Sequence, residues 1–189
     1  MSAIAKVFVI SGPSGAGKGT IMELVCARLG RLVKSVSATT RTPRPGEQDG
    51  REYHFLSREA FQRSVAAGEF LESVQYNGEH YGTLRSEVED KLAADDDVVL
   101  EIELEGARAV RAAMPGAVAL FIAPPTMAVL GERLRGRGTE CDDEIACRLE
   151  IAATELAAAH EFDYVIVNDD AERAAAEVAA IIEDRRRGS

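Results

Sequence analysis

Val7-Phe8-Val9-Ile10-Ser11-Gly12-Pro13-Ser14-Gly15-Ala16-Gly17-Lys18-Gly19-Thr20 changes character twice. It opens as an apolar run rich in β-branched residues, which reads as a buried strand. It breaks in Gly12–Gly17, too glycine-rich for helix or strand, and from Lys18 a helical pattern starts with Ile21, Met22, Leu24, Val25 and Leu29 on its apolar face. Strand, glycine loop, lysine and helix together are the context of a phosphate-binding P-loop. Glycines at 12, 15 and 17 allow successive N–H groups to point into one concavity. The helix N-terminus adds partial positive charge and Lys18 a full one. The segment Ser11, Gly12, Pro13, Ser14, Gly15, Ala16, Gly17, Lys18, Gly19 and Thr20 is therefore expected to hold a polyphosphate.

The residue after the lysine is Gly19, where a P-loop usually carries the hydroxyl that touches Mg²⁺. The expectation is a metal held mainly by phosphate oxygens and water, with no direct protein ligand.

Bulk properties narrow the classes. A chain of 189 residues with 46% hydrophobic side chains is the size of one domain and excludes a disordered chain. Its formal net charge of −10 argues against nucleic acid as a partner, so any anionic ligand must meet local arginine clusters. No apolar run approaches a membrane span, and Met1–Lys6 is too short for a signal peptide; the expected location is cytoplasmic. Cys26, Cys141 and Cys147 match no metal spacing and read as reduced structural thiols, and His54, His80 and His160 receive no role.

Beyond the first helix, which is predicted to end at Gly30, Val33–Ser37 reads as a strand. Residues 38–97 depart from the βαβ rhythm, with short strands near 52–55, 70–76 and 81–83, helices near 58–67 and 84–94, and the look of an inserted lobe of antiparallel hairpins. Asp95-Asp96-Asp97 reads as a solvated turn. Strands at 98–103, 117–122 and 163–168 alternate with helices at 105–113, 126–134, 142–160 and 171–186, the last ending in a frayed Arg185-Arg186-Arg187. This is a doubly wound α/β fold, a mostly parallel sheet flanked by helices, with ligands beyond the C-terminal strand ends.

A second signal is Ser35-Val36-Ser37-Ala38-Thr39-Thr40-Arg41-Thr42-Pro43-Arg44-Pro45-Gly46-Glu47. Arg41 and Arg44, stiffened by prolines, can present two guanidinium forks to one phosphate. Tyr53 and Tyr81 offer hydroxyls to phosphate oxygens. Glu72 offers a carboxylate to a base edge with two adjacent donors, which guanine has and adenine lacks. Arg133-Leu134-Arg135-Gly136-Arg137-Gly138 forms a third cluster, with Arg148 beyond it.

Together these blocks resemble guanylate kinases, P-loop nucleoside monophosphate kinases, from Val7 to the last helix. The matching stretches are 11–20, 35–47, Tyr53, 69–72, 81–83, 122–125, 133–140, Arg148 and 166–169. The resemblance implies transfer of the γ-phosphoryl group of ATP to GMP, giving ADP and GDP with Mg²⁺, a step in guanine nucleotide recycling. It implies that Ser37, Arg41, Arg44, Tyr53 and Tyr81 hold the GMP phosphate, and that Glu72, Thr83 and an acid at position 103 read the guanine. It assigns Arg133, Arg137 and Arg148 as catalytic arginines of a lid, with Arg148 also reaching GMP and Arg135 facing solvent. Asn168 is expected near the adenine. Glu101-Ile102-Glu103 stands where the family usually has Asp-Ile-Asp; Glu101 is expected near the P-loop and its Mg²⁺ water shell, and Glu103 at the guanine amino group. A Lys-Gly-Thr ending such as Lys18–Thr20 also recurs in these kinases.

The implied layout is a single domain over 1–189, with a core at about 1–37, 98–134 and 149–189, a GMP-binding lobe at about 38–97 and a lid at about 135–148. The expected state is a monomer or small homo-oligomer. Two other readings remain open: an interaction module that has lost catalysis and binds phosphorylated peptides, and a kinase of this fold with another phosphorylated acceptor.

Overall fold

The computed structural model describes residues 5–76, 78–136 and 142–188. The apolar run forms β1 (Val7–Ser11), all five residues buried. Its side chains alternate between two cores, as the two-residue repeat of a strand requires. Phe8 and Ile10 pack with α1 (Lys18–Arg28) and α7 (Ala171–Arg187) on one face. Val7 and Val9 pack on the other, with Val88 of α3 (Arg85–Ala93) and Ala107 and Val110 of α4 (Leu104–Ala113). Burial on both faces explains why β1 reads as a continuous hydrophobic run.

The central sheet also contains β2 (Leu32–Lys34), β7 (Asp97–Glu101), β8 (Val118–Ala123) and β9 (Tyr164–Val167). Its order is β2-β7-β1-β8-β9, with every pair parallel. The doubly wound expectation is borne out. The strand ends carrying the P-loop, Glu101, Ala123 and Asn168 share one edge, where such folds bind ligands.

A second sheet has the order β4-β3-β6-β5, from β3 (Ala38–Thr39), β4 (His54–Phe55), β5 (Phe70–Tyr76) and β6 (Glu79–Leu84). It holds one antiparallel hairpin, β5–β6, while β3 and β4 pair in parallel, which corrects the expectation of antiparallel hairpins throughout. The helix α2 (Arg58–Ala66), capped by Ser57, packs beneath it through Phe61, stacked on Phe70 at 4.5 Å.

The register of the hairpin shifts between Phe70 and Glu72. Phe70 pairs with Leu84 and Glu72 with Thr83, so Leu71 is the extra residue of a bulge. The bulge sends Leu71 into the core of the central sheet and turns Glu72 toward Thr83.

Five further expectations are corrected. Val33–Ser37 is not one strand. The chain leaves the sheet after Lys34; Ser35 N–H still reaches the Val99 carbonyl at 3.0 Å, but Val36 N–H is taken by the Glu87 carboxylate at 2.8 Å. The next strand stops at Glu101 because Glu103 is already the N-cap of α4. Asp97 is no solvated turn residue. It is 5% exposed and accepts from Lys6 N–H at 2.7 Å and from Arg186 Nε at 2.5 Å. Nor is the terminal arginine run frayed, since Arg186 also donates to the Gly30 carbonyl at 3.0 Å. Cys26 is half-buried, Cys147 is an exposed free thiol rather than a packing residue, and Cys141 lies outside the described residues.

The helix α5 (Met127–Arg135) starts where Thr126 Oγ1 accepts from Val129 N–H at 3.1 Å. The helix α6 (Asp142–Ala157) ends before a 3₁₀ turn at Ala159–Glu161, short of the predicted His160. Among the described residues no helix is long and apolar enough to cross a membrane.

Candidate active site

Between β1 and α1 the chain needs backbone angles that side chains resist. Gly12 and Gly17 have φ of 142° and 91°. A Cβ at Gly12 would run into the Ile122 carbonyl, and one at Gly17 into the Asn168 carboxamide. The loop is therefore pressed onto the ends of β8 and β9 with no space for side chains. Asn168, 4% exposed, donates from Nδ2 to the Ala16 carbonyl at 2.7 Å. It faces the loop backbone from beneath. Ser11 at the end of β1 and Ala16 within the loop are likewise fully buried.

Lys18 is 8% exposed, and its ammonium donates to the carbonyls of Gly12 and, at 3.2 Å, Pro13. A cavity of about 410 Å³ opens over it, lined by Pro13, Ser14, Gly15, Gly17, Gly19, Thr20, Glu23, Glu101 and Glu103. Arg133 of α5 donates to the Asn168 carbonyl at 2.9 Å, and Arg148 of α6 to Ser14 Oγ at 2.9 Å, so both stand beside the P-loop. Arg135 is exposed. Arg137 lies outside the described residues.

A second cavity of about 280 Å³ is lined by Ser37, Tyr53, Glu72, Tyr81, Glu101 and Glu103, among others. Tyr53 and Tyr81 meet edge-on with ring centroids 6.1 Å apart. Behind them the Arg41 guanidinium lies 5.4 Å from the Tyr53 ring centroid. Burial pushes the Tyr53 hydroxyl up from its ordinary pKa. Arg44 stands exposed. Thr83 does not line the cavity; it is 1% exposed, and its hydroxyl donates to Glu72 Oε1 at 2.8 Å. Burial pushes the Glu72 carboxyl up, with the Thr83 hydroxyl and N–H pulling it down. Gly106 in the first turn of α4 leaves the space that this carboxylate uses, since a Cβ there would stand 2.9 Å from Glu72 Oε2.

Glu101 and Glu103 line both cavities, forming the wall between them. Glu101 accepts from Lys34 Nζ at 2.6 Å. A Cβ at Gly19 would stand 3.9 Å from Glu101 Oε1, and Glu23, Glu103 and Thr20 line the same cavity. These hard oxygens suit a hydrated Mg²⁺ delivered on phosphates. Among the described residues no cluster of three or more His, Cys, Asp or Glu side chains could grip a metal alone.

One residue escaped the sequence reading. Glu155 is 8% exposed on α6, on the face that carries Ile145, Arg148 and Ala152. Burial and the neighbouring Glu103 carboxylate push its carboxyl from the ordinary 4.5 up to about 7, while Lys18 pulls it down. A signal was present: a glutamate at the buried spacing of an otherwise Ala-rich helix. Such a group holds its proton in the folded chain after the unfolded chain has lost it, so stability falls as pH rises from 4.5 to about 7. Glu155→Gln is expected to be about 2 kcal/mol more stable than the parent near pH 8 and equal to it near pH 4. Thermal melts at both pH values check this; no gain at the higher pH contradicts it.

The guanylate kinase family profile matches residues 4–185. A guanylate kinase of Frankia casuarinae is 55% identical over 174 residues, covering 92% of this chain and 95% of that protein. One from Trichormus variabilis is 51% identical over 169 residues, covering 89% and 85%. The crystal structure of guanylate kinase from Anaplasma phagocytophilum superposes with a TM-score of 0.76 at 34% identity, covering 97% of this chain and 87% of that one. With the profile spanning nearly every residue from the first strand to the last helix, the chain belongs to the guanylate kinase family.

Proposed function

We infer that the chain is an ATP:GMP phosphotransferase, moving the γ-phosphoryl group of ATP to the phosphate of GMP. The observation that carries this reading is the shared wall. A P-loop cavity holding Lys18 and a tyrosine-lined cavity holding Glu72 meet at Glu101 and Glu103, so two nucleotides entering from opposite sides would meet end to end. Family membership supplies the chemistry.

Phosphoryl transfer asks a protein chiefly for alignment and charge neutralisation, and needs no covalent enzyme intermediate. The loop amides of Gly12–Thr20 and the Lys18 ammonium hold the donor phosphates. Ser37, Arg41, Arg44, Tyr53 and Tyr81 hold the acceptor phosphate, and Glu72 accepts from guanine, oriented by the Thr83 hydroxyl. Glu103 faces the guanine amino group. Mg²⁺ delivered with ATP would supply charge neutralisation at the transferring group, and Glu101 is the side chain that would orient its water shell. Arg133, from the end of α5, meets the triphosphate together with Arg137 and Arg148 of a lid at about 135–148, whose closure keeps out the water that would hydrolyse ATP. Asn168 fixes the Ala16 carbonyl beneath the loop, at the end of the site assigned to the adenine. The lobe at about 38–97, a cytoplasmic location, and a monomer or small homo-oligomer without nucleic-acid or membrane partners complete the proposal.

The test is an acceptor screen with ATP, reading ADP by a coupled assay. GMP is expected to exceed AMP, CMP and UMP by about 10³-fold or more in kcat/KM, the discrimination that a site built to hydrogen-bond a base reaches. No ADP above the blank would favour an interaction module, and a phosphorylated sugar preferred over GMP would favour a different acceptor.

A further inference from the structure

The acceptor loop contains an acid with no part in the scheme above. Glu47 closes the turn that begins at Arg44: its N–H donates to the Arg44 carbonyl at 3.0 Å, with Gly46 at φ 90° completing the bend. Its carboxylate then reaches back to both arginines of the segment. Oε2 accepts from Arg44 N–H at 2.7 Å, and Oε1 accepts from Arg41 Nη2 at 2.8 Å. The Arg41 and Glu47 side chains are only 17% and 18% exposed, in an otherwise exposed loop. The Arg41 hydrogen bond and the Arg44 N–H hold the Glu47 carboxyl below the usual glutamate range, so it is ionised at neutral pH.

The consequence falls on Arg41. Nη1 donates to the Thr42 carbonyl at 2.8 Å and Nη2 to Glu47, while the guanidinium lies over the Tyr53 and Phe55 rings at 5.4 and 5.8 Å. A guanidinium has five N–H donors, so Nε and one hydrogen on each terminal nitrogen remain for a ligand. An arginine on an exposed loop would otherwise spread over many rotamers, and a phosphate would have to order it on binding. Here two acceptors and two rings fix it beforehand.

We propose that Glu47 is a positioning residue for the acceptor phosphate, setting the guanidinium of Arg41 and the turn at Arg44 so that the nucleotide's phosphate meets an ordered donor set. This deepens the reading that Arg41 holds the GMP phosphate, and rests on it. The carboxylate does not compete with the ligand, because its charge is spent on Arg41 and the Arg44 amide while the other donors of Arg41 stay available.

Binding of GMP and of guanosine separates a phosphate effect from damage to the lobe, because guanosine uses the same base contacts and has no phosphate. Calorimetric titrations would use the parent, Glu47→Gln, Arg41→Ala and the double variant. Glu47→Gln is expected to weaken GMP about tenfold, the scale of losing one charge-assisted hydrogen bond, with guanosine affinity within about twofold. In the Arg41→Ala background it should add less than about twofold, because the amide oxygen can still accept from Arg44 N–H and the guanidinium it orders is gone. Steady-state kinetics should show KM for GMP rising with KM for ATP unchanged.

Unchanged or tighter GMP binding in Glu47→Gln overturns the proposal, the second result marking Glu47 as a competitor for Arg41. So does a parallel loss of GMP and guanosine, or full additivity with Arg41→Ala. If Arg41→Ala itself leaves GMP binding intact, the phosphate reading falls and this proposal with it. If Arg41→Ala weakens GMP and Glu47→Gln does not, only the role of Glu47 falls.

Discussion

Replacing Lys18 by alanine is expected to lower kcat by about 10³-fold or more while leaving GMP affinity within about twofold. The asymmetry follows from the two cavities. Lys18 belongs to the P-loop cavity, and the tyrosine-lined cavity is bounded by other side chains. Its ammonium is parked on the Gly12 and Pro13 carbonyls, where an incoming phosphate can exchange with a carbonyl without the side chain moving far. The stem is buried, so little conformational entropy is left to lose on binding. Lys18→Arg should not rescue turnover, because a longer planar fork does not fit the space filled by a buried ammonium. Single-turnover kinetics with saturating ATP separates the chemical step from binding. Turnover within about tenfold of the parent would remove Lys18 from the transferring group.

The P-loop was legible because its cause is local: strand, glycines, lysine and helix are contiguous, and each implies the next. What escaped depends on partners far away in the chain. Asp97 looks like one of three solvated aspartates until Lys6 and Arg186 arrive, 91 and 89 residues distant, and fill its two oxygens. The same contact explains why Arg186 is ordered. Glu155 was hidden for a similar reason, since the charges that act on it, Glu103 and Lys18, come from other elements. Asn168 shows a subtler limit. Its position at a strand end was readable, but the direction of its carboxamide depends on how closely Gly17 lets the loop approach.

The bulge at Leu71 was equally invisible, although it aims Glu72, the side chain proposed to read the base. A regular hairpin would carry the register of Phe70 and Leu84 onward without a shift; the extra residue sets Glu72 opposite Thr83 and sends Leu71 into the central core. No residue type in Phe70-Leu71-Glu72 marks a bulge. Its cause is tertiary, the gain from burying Leu71 together with the tight approach of Gly106 to the Glu72 carboxylate. Local pattern therefore suffices for the P-loop, whereas the seat of Glu72 is assembled by packing.

That packing makes Glu72→Gln the other substitution with a large expected effect. The amide has the shape of the carboxylate and can still accept from Thr83, whose hydroxyl lies 2.8 Å from Oε1. It would, however, turn a donor toward guanine N1–H and N2–H₂, leaving donor against donor in a buried place. kcat/KM for GMP is expected to fall by about 10²–10³-fold, with AMP no better a substrate than before. Stability should move the other way. Burial raises the Glu72 pKa above 4.5, so the folded chain retains a proton that the unfolded chain releases, and ionising this carboxyl costs stability as pH rises from 4.5 through the raised value. The variant escapes that cost, so it should melt above the parent near pH 8, with the difference vanishing below 4.5 where both chains carry a neutral group. Lost selection from a damaged lobe would come with a lower melting temperature; lost selection with a higher one assigns the loss to the base contact. If GMP turnover is unaffected while the melting temperature rises, Glu72 is a buried acid without a reading role, and guanine selection must lie with Glu103.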